Sequence, residues 1–286
     1  MAGKPLIAIV GAGNLGSALA FSLHRSAYKI EAVLARARGA SREKAQKLAK
    51  SVGARPVTDA PSLQARLVWF CVPDSEISRA AKSLAGALEW RGRVALHSSG
   101  ALASEELEAL RERGASVASV HPLMTFVKGS RPPLLAVPFA IEGDPVATRQ
   151  ARQIVKNLGG QSYSIRAKDK AAYHAWGTFA SPLFTALLAT AEQVATLAGV
   201  NRGEAKRRMI PILLQTLANY AQFGAAAGFS GPIVRGDVET VKRHLRVLRN
   251  LPAAREVYSA LGRASLRYLP VKHKRELKQV FDSRIE

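Results

Sequence analysis

The chain begins as an alternation of short apolar runs and longer amphipathic stretches. Leu6 to Val10, Lys29 to Leu34, Leu67 to Val72, Arg93 to His97 and Ser116 to Val120 are runs short enough for strands and apolar enough to be buried on both faces. Between them, Asn14 to Ser26, Ser41 to Val52, Ser75 to Leu88 and Ser104 to Arg113 carry helical spacing, and Arg55 to Thr58 reads as a weak strand. Alternating strands and helices with short connections predict an α/β fold built on a doubly wound parallel sheet. Pro138 to Glu142 and Gln161 to Ile165 extend it around a helix from Pro145 to Leu158. From Ala167 onward the period is helical throughout, over Lys168 to Ala198, Arg202 to Ala226, Asp237 to Leu248 and Ala253 to Leu269. This places a boundary near Arg166, with a nucleotide-binding domain over 1–166 and an all-helical domain over 167–286.

The first strand runs into Gly11, Gly13 and Gly16 and then into a helix, the context that a GxGxxG dinucleotide loop requires. Gly11 allows the tight turn, Gly13 admits a pyrophosphate close to the backbone, and Gly16 lets helix approach strand. The N–H groups at the helix start, from Asn14 and Leu15, face the phosphates. At the end of the second strand an NAD-binding chain would carry a carboxylate about 20 residues past the loop. Here Arg36, Arg38, Ser41 and Arg42 stand instead, suited to a 2′-phosphate, so the expected cofactor is NADP(H). Val72 and Pro73 close the fourth strand at the carboxyl edge, where such sheets bind ligands.

Composition changes this picture little. The 48% hydrophobic content of the 286 residues excludes a disordered protein. A single cysteine, Cys71, sits in an apolar run and reads as a buried thiol, which with the absence of a signal peptide suits the cytoplasm. Ala171 to Ala191 is free of charge, but its histidine, proline and threonines favour a buried core helix over a membrane span. The net charge of +21 invites a nucleic-acid reading. The cations are spread along helix faces without a nucleic-acid motif, and the basic tail from Arg263 to Glu286 reads as an exposed helix rather than a polyanion site. Six histidines and one cysteine show no metal-ligand spacing, and no GxSxG elbow occurs.

Lys170 and His174 lie four residues apart on one helix face, with Ser181 further along it. In hydride transfer to a carbonyl, a lysine partly desolvated in a cleft can stabilise the growing negative charge and give up a proton, which makes Lys170 the expected acid and His174 its partner. Ser98, Ser99 and His121 are delivered to the ligand edge by their strands and are candidate substrate contacts. Arg235, the only cation of the loop Ser230 to Asp237, is a candidate partner for a substrate carboxylate.

Taken together, GAGNLG, CVPD at Cys71 to Asp74, HSSGAL at His97 to Leu102, HPLMTF at His121 to Phe126, FAIEGDP at Phe139 to Pro145, KDKAAYHAWGTFAS at Lys168 to Ser181 and GPIVRGD at Gly231 to Asp237 resemble a family. It comprises the Rossmann-like proteins with a C-terminal helical domain in the 6-phosphogluconate dehydrogenase-like superfamily. The resemblance covers nearly the whole chain. It implies an NADP-linked oxidoreductase similar to pyrroline-5-carboxylate and deazaflavin-dependent NADP reductases, with some members similar to an alternative type of ketopantoate reductase. By this likeness the family lysine falls on Lys170 and its Tyr-His pair on Tyr173 and His174. Where the family shows Ser-Asn this chain has Ser181 and Pro182, so a possible amide contact is missing and the helix is open to a kink. The expected activity is reduction of a small oxo or imino acid, with a homodimer formed through the helical domain. A non-catalytic NADP(H)-binding sensor or structural protein is the alternative.

Overall fold

The computed structural model describes residues 3–35, 39–58 and 63–283. By contacts the chain forms two units, Met1–Phe179 and Ala180–Glu286.

The first unit is a sheet covered on both faces. In chain order it contains β1 (Ile7–Val10), α1 (Asn14–Arg25), β2 (Ile30–Leu34), α2 (Ala40–Ser51), β3 (Arg55–Val57), β4 (Leu67–Phe70), α3 (Asp74–Ala85) and β5 (Val94–His97). A 3-10 turn, Ser104–Leu107, leads into the short α4 (Glu108–Arg111), so the predicted single helix there is two pieces. Then come β6 (Ser116–Pro122), β7 (Pro138–Gly143), α5 (Pro145–Asn157), β8 (Gln161–Ser164) and α6 (Lys170–Ala180). The strand order is β3-β2-β1-β4-β5-β6-β7-β8. Because β2 and β4 flank β1, the order reverses there, which opens the crevice in which such sheets bind ligands.

The period of two along each buried strand sorts the core into two layers. Ile7 and Ile9 join Leu67, Trp69 and Leu96 on the face covered by Leu19 and Leu23 of α1, Leu48 of α2 and Ile154 of α5. Ala8 and Val10 join Val68, Phe70 and Ala95 on the face covered by Ile77 and Leu84 of α3 and by Leu107 and Leu110. The sheet departs from the expected all-parallel pattern at one place, since β7 runs antiparallel to β6. No helix lies between Pro122 and Pro138, so the chain has no crossover with which to return parallel.

The glycine loop is held by contact. Gly11 has φ of +105°, and a Cβ on it would come within 2.6 Å of the Cys71 carbonyl oxygen. A Cβ on Gly16 would overlap the Gly11 carbonyl oxygen, whereas one on Gly13 would meet nothing within 4 Å.

The second unit is all helix: α7 (Pro182–Thr196), α8 (Arg202–Gly228), α9 (Pro232–Arg235), α10 (Val238–Val247), α11 (Pro252–Tyr268) and α12 (Lys274–Asp282). Its buried cluster is small, formed by Val241, Leu245, Val271, Leu277, Val280 and Phe281. The basic tail is thereby an amphipathic helix docked through Leu277, Val280 and Phe281. The predicted helix Lys168 to Ala198 breaks at Ser181 (φ −129°, ψ −76°), because Pro182 has no N–H to continue the ladder.

Ala171 to Ala191 differs from the expected core helix. None of the residues of α7 is buried, and in α6 only Lys170 and Tyr173 are. Trp176, Phe179 and Leu183 of this stretch are exposed, Phe179 at 70%. Among the described residues no helix is long and apolar enough to cross a membrane.

The glycine contacts give a direct test. Gly16→Ala should cost about 1–3 kcal/mol of stability in urea unfolding, the usual penalty of overpacking. Gly13→Ala should change it by less than about 1 kcal/mol, because the added methyl has room.

Candidate active site

The carboxyl ends of β1, β4, β5 and β6 supply the residues of interest. Beyond β1 and β4 lies a cleft of about 570 Å3 whose walls include Gly11, Gly13, Ser41, Lys44, Val72 and Pro73. Of the residues expected to hold a cofactor, Gly11, Gly13, Ser41, Val72 and Pro73 therefore line one cavity. Asn14 faces a neighbouring cleft. Gly16 acts by packing, and neither Leu15 nor Arg42 lines the cavity. Arg36 and Arg38 lie outside the described residues. Lys44 and Arg79, which also line the cleft, were not singled out from sequence. Lys44 was findable, since it falls one helical turn after Ser41 on the same face of α2.

Beyond β5 the chain turns through Ser98, Ser99 and Gly100, and almost every polar atom of Ser99 is engaged. Its N–H donates to His97 Nδ1 (3.1 Å), and its hydroxyl donates to Asp74 Oδ2 (2.8 Å). The same Oγ accepts from the N–H groups of Ala101 (3.2 Å) and Leu102 (2.9 Å). Its carbonyl accepts from Lys170 Nζ (3.0 Å) and Ser119 Oγ (3.2 Å). Ser98 Oγ accepts from Trp69 Nε1 (2.8 Å) in the core. Thus both serines, expected as substrate contacts, spend their side chains inside the protein. Asp74, the first residue of α3, directly follows the cleft residue Pro73 and so ties the turn to the cleft.

Lys170 is completely buried. Its ammonium, at the first residue of α6, donates to the Ser99 carbonyl and, at 2.6 Å, to Ser119 Oγ on β6. Burial pulls its pKa down to about 8, partly opposed by the carboxylates of Glu142, Asp74 and Glu105. Glu142 is itself buried on β7, where it accepts from Ser104 N–H (2.8 Å) and Oγ (2.9 Å). Burial raises its pKa, an effect that Ser104 and the Lys170 charge oppose.

Three histidines surround this cation. His97 is fully buried, and because its Nδ1 accepts from Ser99 the ring proton sits on Nε2, which donates to the Ala103 carbonyl (2.9 Å). Burial and the Lys170 charge lower its pKa to about 4. His121, within β6, is paired through Nδ1 with the Tyr173 hydroxyl (2.9 Å). Burial, then Lys170, His174 and His97, push it down to about 3, so it is neutral at pH 7. Tyr173 is shifted above the ordinary phenol range by burial and by Tyr163. His174 is exposed, with its ring edge-on to His121 at 6.1 Å. A Cβ on Gly100 would lie 2.6 Å from His174 Cδ2 and 2.8 Å from His121 Nε2, so only glycine lets both rings approach the turn.

The structure therefore brings together Ser99, His121, Lys170 and His174, with Ser98 behind them. Tyr173, read in sequence only through the family likeness, joins them by its hydroxyl. Ser119 and Asp74 went unrecognised as partners, and nothing in their spacing points to Lys170 or Ser99. Ser181 and Arg235 belong to the second unit. Ser181 caps α7 through its backbone, its carbonyl accepting from Thr185 N–H (2.9 Å). Arg235 is exposed at the end of α9, followed by Gly236 in the left-handed region and by Asp237, which caps α10 by accepting from Thr240 N–H (3.1 Å). Cys71 is buried, its thiol pushed up to about 12 by desolvation. Among the described residues no group of histidine, cysteine or carboxylate side chains is arranged to hold a metal.

Comparison with known proteins agrees with this architecture. Residues 3–122 match the model of a Rossmann-like domain. Residues 137–265 match a domain of unknown function, DUF2520, which includes Lys170, Tyr173, His174 and Arg235. The two matches follow one another along the chain and together span most of it. No curated protein matches it. Among solved structures, a candidate NADP oxidoreductase from Bacteroides fragilis is similar over 91% of this chain and 97% of its own, with 22% identity and a TM-score of 0.76. A reductive aminase from Aspergillus terreus, in complex with NADPH and ethyl-5-oxohexanoate, is similar over 98% and 100%, with 16% identity and a TM-score of 0.67. A pyrroline-5-carboxylate reductase from Coxiella burnetii is similar over 96% and 99%, with 15% identity and a TM-score of 0.58. At these identities the likeness establishes a shared fold.

The buried neutral histidines set a pH dependence. With folded pKa values of about 4 and about 3 against an ordinary value of 6.5, the unfolded chain binds more protons below pH 6.5. Stability should therefore fall as pH drops from about 6.5 toward 4. Replacing His97 by Gln should flatten that slope in urea unfolding measured across the range.

Proposed function

We propose that the protein is an NADPH-dependent oxidoreductase that reduces a small oxo or imino acid by hydride transfer. The observation that carries the reading is the turn Ser98–Gly100, fixed from below by a buried ammonium, flanked by two histidines, and tied through Asp74 to the glycine-loop cleft. The cofactor assignment is supported by the fit of the cleft. Gly13 leaves room at the N-terminus of α1, where N–H groups and the helix dipole favour a pyrophosphate, and Ser41 with Lys44 offers donors for a 2′-phosphate. NADPH, when bound, supplies the hydride. The neighbours similar in fold, a candidate NADP oxidoreductase, a reductive aminase in complex with NADPH and a pyrroline-5-carboxylate reductase, support the same class of chemistry.

As hydride arrives, negative charge grows on the substrate oxygen or nitrogen. A cation held in a low-dielectric interior acts on that charge more strongly than a solvated one. Lys170 provides it at no further cost in reorganisation, since Ser99 and Ser119 already hold it. Direct proton donation by Lys170, the role expected from spacing, would need an open path to the substrate, and the buried ammonium offers none. We assign delivery of the proton to the exposed His174, with the neutral His121–Tyr173 pair beside it. Arg235 remains our candidate for a substrate carboxylate, ketopantoate being one such acid. We also propose pairing with a second copy through the helical unit, supported by the exposed Ile212, Leu214, Leu217 and Phe223 of α8. The single buried cysteine is in keeping with a cytoplasmic setting.

An NADPH-oxidation screen over oxo and imino acids, ketopantoate included, should find turnover with NADPH favoured over NADH. Tight NADPH binding with no turnover on any of them would instead support the sensor alternative. On the substrate so found, Lys170→Met should lower kcat by about 100-fold or more while NADPH affinity stays within about threefold. Full turnover by that variant would end the assignment. Because the charged form is the active one, wild-type kcat should decline as pH rises through about 8. In sedimentation, the chain should run as a dimer that Leu214→Glu and Leu217→Glu together dissociate.

A further inference from the structure

A second cleft, of about 640 Å3, lies on the outer flank of α1. It is lined by Asn14 and Ser17 of α1, by Lys44 and Lys47 of α2, and by Lys128 and Arg131 from the segment between β6 and β7. No carboxylate lines it. The ion pairs among the described residues include none of these four cations. A chain with a net charge of +21 carries an excess of cations, so a free cation by itself marks no site. Here three separate segments bring theirs to the lining of one concave space, where no carboxylate relieves their repulsion.

The arrangement is also held in place. Asn14 Nδ2 donates to the Phe126 carbonyl (3.1 Å), which anchors the β6–β7 segment at the start of α1. The Arg131 guanidinium stacks on the Phe21 ring at 4.0 Å, which positions it without consuming its N–H donors. Ser17 adds a hydroxyl, and the positive end of the α1 dipole adds to the field. Such a set of donors matches a compact, multiply charged anion.

We propose that this cleft is a phosphate-binding site, in which Lys47, Lys128 and Arg131 hold the anion and Lys44 is shared with the adjoining dinucleotide cleft. The phosphate belongs either to the dinucleotide itself or to a separate phosphorylated small molecule. The inference does not depend on the reductase reading, since its probe is inorganic pyrophosphate rather than a substrate.

The test is calorimetric titration of inorganic pyrophosphate into the full chain at low ionic strength. Three proteins are compared: the wild type, the combined variant Lys47→Ser, Lys128→Ser and Arg131→Ser, and a control that removes equal charge, Lys272→Ser, Lys274→Ser and Lys278→Ser. Saturable wild-type binding that weakens about tenfold or more in the first variant and is unchanged in the control is the expected result. Absence of saturable binding, or equal weakening in both variants, overturns the proposal. Repetition with NADPH at saturation, verified by its own fluorescence, separates the two sources. Loss of pyrophosphate binding then identifies the dinucleotide's phosphates as the occupant, and its persistence identifies a separate phosphorylated ligand; either supports the site.

Discussion

The hydrogen bonds from the Lys170 ammonium to the Ser99 carbonyl and to Ser119 Oγ hold the candidate site together. A lysine with no exposed surface is costly to desolvate, and the cost is offset only where its donors are matched and carboxylates lie near. Ser99, Ser119 and the field of Glu142, Asp74 and Glu105 meet that condition. The consequence runs outward. Burial, reinforced by a cation at this point, keeps His121 and His97 neutral; the same cation fixes the Ser99 backbone, and Gly100 beside it is the floor on which two imidazoles rest.

The same constraint explains the placement of the strands. Ser99 follows β5, Ser119 lies on β6 and Glu142 on β7, so the cation joins three neighbouring strands. The antiparallel β7 matters here, because its register sets Glu142 opposite Ser119. Asp74 then links the turn to α3 and to the cleft beside the glycine loop, so that cleft and the buried cation are tied to one edge of the sheet.

Much of this was legible in the chain. The strands Leu6 to Val10 and Leu67 to Val72 announce themselves by unbroken apolar runs, and the glycines by their spacing between strand and helix. The family likeness added the Tyr173–His174 pair. Three features were not legible, each for a physical reason. Antiparallel β7 depends on what the segment after Pro122 fails to form, which periodicity does not report. The burial of Lys170 depends on partners 51 and 71 residues away in sequence. The exposure of Ala171 to Ala191 depends on what covers an apolar helix, and apolar composition alone does not distinguish a core within one chain from a face awaiting another.

Lys170 is a desolvated cation at the base of the candidate site. Its titration can be followed directly by nitrogen NMR of labelled lysine side chains in the intact protein, with Lys170→Met identifying its signal. The signal that this variant removes should titrate with a midpoint near pH 8. A midpoint in the ordinary lysine range, about 10.4, would show a solvated ammonium and contradict it.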